Sequence, residues 1–159
     1  MNSSAIAIAK ELTRLLETSA PLSEEQINRL YEAHKKARRI DFMAPEHIQK
    51  EQLRRLETLT KDEASSELST LWSQSLSPER GDDLVLHLKL LTALFNKYLA
   101  SGEVPPPASA WRITVILRKE KELETDRRFL QGWYKHFGST RGTVYEKLAK
   151  RLQKLGNVL

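Results

Sequence analysis

The chain has 159 residues, with 26 Lys plus Arg against 21 Asp plus Glu, a formal net charge of +5 and a pI near 9.5. That length suits one compact domain, or a domain with a small appendage. Its 40% apolar and 30% charged content is too apolar for disorder and too polar for a membrane protein, and the absence of cysteine excludes disulfides, thiolate metal sites and thiol catalysis.

Helix signals dominate from the first residues. The start lacks a basic region, and Lys10 and Glu11 break the apolar run too early for a signal peptide. Ser3 or Ser4 can instead cap a first helix to about Glu17, with Ile8, Leu12, Leu15 and Leu16 on one face. Ser23-Glu24-Glu25-Gln26 reads as a capping box that opens a second helix carrying Ile27, Leu30, Tyr31 and His34. Lys35-Lys36-Ala37-Arg38-Arg39 at its end suits the negative pole of the helix dipole. Pro45 suits the first position of a third helix with Leu53, Leu56 and Leu59. Asp62 is expected to open a fourth, bearing Leu68, Leu71 and Trp72 and stopped at Ser77-Pro78.

The fifth segment, 82–100, is apolar almost all round except a stripe through Lys89, Thr92, Asn96 and Lys97, so the other elements should pack about it. It is too short and too charged to span a bilayer. Asp82 and Asp83 complement its N-terminus and Gly102 is a natural left-handed terminator. Val104-Pro105-Pro106-Pro107 then excludes helix and predicts a stiff connector between a helical bundle, 1–103, and a module, 108–159. Residues 111–117 alternate like a strand, but with no partner strand and a Lys/Glu run behind them they are read as helix. The last two helices, 126–137 and 143–155, are expected to close at Gly138 and Gly156. The fold class is therefore all-α.

The charge is unevenly divided. Residues 1–111 hold 14 basic and 16 acidic side chains, and residues 112–159 hold 12 basic and 5 acidic, so the C-terminal third carries net +7. At about 100° per residue, Val144, Tyr145, Leu148, Leu152 and Leu155 share one face of the last helix, and Lys147, Lys150, Arg151 and Lys154 the other. The helix before it places Phe129, Trp133, Tyr134 and Phe137 inward and Arg128, Gln131 and Lys135 outward. Such a basic face is the footprint of phosphate binding, in which neutralised phosphates release counterions. The plainer alternative is a solvated exterior.

Gly138-Ser139-Thr140-Arg141-Gly142-Thr143-Val144-Tyr145-Glu146-Lys147-Leu148 resembles the turn and recognition helix of TetR-type repressors. By that resemblance Arg141, Thr143, Tyr145 and Lys147 would face a major groove or its flanking phosphates, with Gly138 left-handed in the turn. Tyr134 departs from the pattern, since the position four before the turn glycine is usually small, and that family carries the motif near the N-terminus. A plain helical hairpin is the other reading.

Chemistry-bearing motifs are missing. His34, His47, His87 and His136 are scattered without metal-ligand spacing, and His87 reads as a satisfied core histidine. Asp82-Asp83 serves a helix start better than a metal. The aromatic series on 126–137 could stack bases but at helical spacing reads as core. No metal, cofactor or enzymatic activity is expected. The expected function is non-catalytic nucleic-acid binding, to DNA or RNA, through Arg128, Lys135, Arg141, Thr143, Tyr145, Lys147, Lys150, Arg151 and Lys154. The alternative is an interaction or assembly subunit with a protein partner or a second copy. A cytoplasmic location and no membrane are expected.

Overall fold

A computed structural model describes residues 3–64 and 66–158. Among them are eight α-helices and no strand: α1 (Ser3–Thr18), α2 (Glu24–Ala37), α3 (Glu46–Ala64), α4 (Glu67–Ser75), α5 (Leu84–Ser101), α6 (Ala108–Lys119), α7 (Leu123–Phe137) and α8 (Thr143–Val158). A single 3-10 turn, Pro78–Arg80, precedes α5. The protein is an all-helical bundle.

Local chemistry explains most boundaries. Ser23 Oγ accepts from the Gln26 amide at 3.1 Å while Gln26 Oε1 accepts from the Ser23 amide at 2.8 Å, a complete capping box. Asp83 caps α5 through the Leu86 amide at 3.1 Å, and Gly102 ends that helix at φ +75°. A Cβ on Gly102 would lie 2.8 Å from the Ile27 carbonyl, so neither handedness nor space admits another residue. The ambiguous segment 111–117 lies within α6. That helix closes with Lys121 left-handed at φ +59°, its amide bonded to the Arg118 carbonyl and the Glu122 amide to that of Leu117.

Several expected boundaries are corrected. Ser3 and Ser4 are the first residues of α1. Asp62 lies inside α3, because Lys61-Asp62-Glu63 offers nothing that stops a helix; α4 is capped by Ser66 instead, through the Ser69 amide at 3.2 Å. Gly156 does not close α8, which runs on to Val158. Gly138 is right-handed at φ −63°, and the positive φ is taken by Gly142 at +151°. Crowding makes Gly138 a glycine, since a Cβ there would lie 2.6 Å from the Tyr134 carbonyl.

The core is built about α5, ten of whose residues are buried. Leu84, Leu88, Leu91, Phe95 and Tyr98 join a large cluster with residues of α1, α6, α7 and α8. Leu86, Leu90 and Leu94 join a small one with Leu71 of α4. Residues on both sides of the 104–107 connector therefore share one core. Neither α2 nor α3 buries a described side chain fully.

Where α1 crosses α7 the backbones meet at Gly132, and a Cβ there would lie 2.8 Å from Leu16 Cβ. Gly132→Ala gains up to about 1 kcal/mol of helix propensity but overpacks this crossing at about 1–3 kcal/mol. A net loss in urea-unfolding stability is expected. A stabilised variant would mean that the two helices can move apart at little cost.

Candidate nucleic-acid interface

The nine expected contact residues fall into three groups. Arg128 and Lys135, on α7, are engaged by the end of α1. Arg128 makes a two-pronged ion pair with Glu17, Nη2 to Oε2 at 2.9 Å and Nε to Oε1 at 3.1 Å. Lys135 Nζ donates to the Glu17 carbonyl at 2.7 Å, and His136 Nε2 donates to the Leu16 carbonyl at 2.8 Å. These carbonyls belong to the last turn of α1, whose partners are otherwise missing, so Lys135 and His136 cap a neighbouring helix.

Tyr145 and Arg151 turn inward. The Tyr145 hydroxyl donates to the Pro105 carbonyl at 2.6 Å, and its ring stacks on Trp133 with centroids 6.1 Å apart. Burial pushes its phenol above the usual value. Arg151, expected on the outer face, has a side chain only 15% exposed, and its Nη2 donates to Asp126 Oδ2 at 3.0 Å. Asp126 is fully buried and also accepts from the Thr114 hydroxyl. Burial raises its carboxyl above the ordinary range, against the pull of Thr114 and Arg151. Thr114, Asp126 and Arg151 thus tie α6, α7 and α8 together.

Arg141, Thr143, Lys147, Lys150 and Lys154 remain exposed. Lys147, Lys150 and Lys154 lie within an arc of about 60° on α8 at 100° per residue. Lys147 Nζ sits 5.8 Å from the centre of the Trp111 ring, close enough for a cation–π attraction. Among the described residues these four cations have no ion-pair partner. They can meet phosphates without first breaking an ion pair.

Other expectations on α7 and α5 divide. Phe129, Trp133 and Phe137 are core residues, whereas Tyr134 is 51% exposed and not inward, because it lies about 100° round the helix from Trp133. His87 is buried, and the Arg80 and Gly81 backbone carbonyls face its ring, although neither nitrogen reaches full hydrogen-bond geometry with them. Burial holds its pKa below the usual value, and the same holds for His136. The residue overlooked in the sequence is Asp126. It lies within about 20° of Trp133 on the helical wheel, a carboxylate in the middle of an apolar face.

Among the described residues no group of three or more His, Cys, Asp and Glu could hold a metal, and no helix is long and apolar enough to cross a membrane. No family model, curated protein or solved structure matches the chain.

Proposed function

We propose that the protein binds nucleic acid without catalysis, through phosphate contacts made by Lys147, Lys150 and Lys154 of α8 and by Arg141 in the turn before it. The observation that carries this reading is the unpaired state of these exposed cations beside Arg128, Lys135 and Arg151, which the fold already uses. A lysine is a mobile point charge suited to a phosphate, and phosphate contacts position a protein without reading sequence. Base readout has less support, because Tyr145 spends its hydroxyl on Pro105 and its ring on Trp133. The binding proposed is therefore electrostatic, to DNA or RNA.

Fluorescence anisotropy with mixed duplex DNA and RNA probes at several salt concentrations tests it. Each duplex phosphate contact lowers log K against log[salt] by about 0.9, so replacing the three lysines with Gln should flatten the slope by about 2.7. The helical circular dichroism should not change, since none of the three is buried. Equal affinity and slope in the two proteins would reject the reading.

The exposed apolar residues before and within α3 favour an assembly subunit as the second reading. Phe42 is 79% and Met43 93% exposed, and Leu53 of α3 is half-exposed. Its discriminating measurement is the molar mass in solution without nucleic acid.

A further inference from the structure

A second site, away from the α8 lysines, lies where the end of α4, the start of α5 and the start of α6 meet. A cavity of about 310 Å³ opens there, at the small end of the range for small-molecule pockets. Its walls divide by chemistry. Trp72, Leu76 and Leu90 supply apolar surface, while Arg112, His87 and Ser109 supply the polar part; no carboxylate lines it. The neighbouring groove shares Trp72 and Leu76 but is edged by Asp62, Glu63 and Glu103. Acidic character stops short of the cavity.

Three features at the polar end all favour an anion. The first is the N-terminus of α6, whose N-cap, Pro107, makes no side-chain hydrogen bond, so the first-turn amides keep their positive pole uncovered. The second is the Arg112 guanidinium, held beside the 3-10 turn with Nη2 3.1 Å from where a Cβ of Gly81 would stand. Among the described residues it has no carboxylate partner. The third is His87, 4% exposed, which lines the cavity; the Arg80 and Gly81 carbonyls face its ring, but neither nitrogen is in full hydrogen-bond geometry with the protein. A buried imidazole whose contacts to the backbone are this loose costs stability, and a hydrophobic residue would fill that place in α5 better. The histidine is explained if an acceptor from outside the chain completes it.

We infer that this cavity binds a small organic carboxylate with an apolar body. Its acid group is held by Arg112, the α6 N-terminus and His87, and its body lies on Trp72, Leu76 and Leu90. Arg112 offers two parallel N–H donors to a carboxylate, and His87 one more. The cavity volume suits one aromatic ring and a short chain and leaves no room for a folded partner. The site uses none of the α8 lysines and stands or falls separately from the nucleic-acid reading.

The probe is 3-phenylpropionate, titrated by calorimetry into the full-length protein beside its neutral amide and inorganic phosphate. The acid should bind, and the amide and phosphate should each bind at least about tenfold more weakly, a difference of about 1.4 kcal/mol. Arg112→Gln changes an exposed residue and should abolish most of the binding; Lys150→Gln should leave it unchanged. His87→Leu should raise the melting temperature of the ligand-free protein while weakening the acid at least about tenfold. No binding of the acid up to about 10 mM, far above the usual range for a specific site, would overturn the proposal. So would undiminished binding to Arg112→Gln, or phosphate binding as well as the acid. Full affinity in His87→Leu would remove the histidine from the site. An acetylated peptide ending in phenylalanine with a free carboxylate, bound at least about tenfold tighter, would overturn the small-molecule assignment in favour of a chain terminus.

Discussion

Replacing Asp126 with alanine is expected to destabilise the protein by about 3–5 kcal/mol, because Arg151 would be left as a mostly buried charge without its partner. Two further losses add to this. The Thr114 hydroxyl loses its acceptor, and three helices lose their common polar tie. The pair Asp126→Leu with Arg151→Met should recover most of the loss, since removing both charges also removes the cost of desolvating them. A urea-unfolding double-mutant cycle measures the coupling. A loss under about 1 kcal/mol for the single change would show that Arg151 reaches solvent on its own. The pH dependence has a defined sign. Burial raises the Asp126 carboxyl above its ordinary value of 3.8, so the folded chain keeps this proton to a higher pH than the unfolded chain. This residue's contribution to stability therefore falls as pH rises from 3.8 through the folded value. Asp126→Asn should lack that component.

Leu91→Ala is expected to cost about 2–5 kcal/mol, the range for a large-to-small change in a packed core. Leu91 is completely buried on the side of α5 that faces α1, α6, α7 and α8. Thr92, one residue on, is half-buried on the polar stripe, and its hydroxyl only bonds back to the Leu88 carbonyl at 2.8 Å. Thr92→Ala should stay within about 0.5 kcal/mol. Comparable losses at the two positions, measured by chemical denaturation, would mean that the stripe is covered in solution.

The helices were legible wherever a side chain acts on its own backbone. The Ser23–Gln26 box, the Asp83 cap and the Gly102 stop are local devices written in a few consecutive residues. The apolar run 84–99 likewise announced the helix around which the core forms. Signals that depend on distant partners were not legible in the same way. Arg151 and Lys147 look alike on a helical wheel, and only Asp126, 25 residues upstream, makes one buried and leaves the other free. Lys135 looks like a solvated cation until the end of α1 is set against it. Gly138 was read for handedness, whereas the chain requires it for space beside Tyr134. The polar end of the α4–α5–α6 cavity was hidden for the same reason, since His87 and Arg112 meet only through packing.

The pairing of α1 with α7 bears on how the chain folds as it is made. Their contacts join residues 111 to 120 positions apart, as between Glu17 and Arg128 or Leu16 and His136. Helical bundles owe their fast folding to short-range contacts, so this one should fold slowly for its class. At 5–20 residues per second of synthesis, α1 waits roughly 6–23 s for α7 to emerge. Through that interval Leu12 and Leu16, which the finished protein buries, lack the α7 surface that packs on them most extensively. Helix α1, made long before its main partner, is among the last to be completed, and a chaperone that holds amphipathic segments would find a long opportunity there.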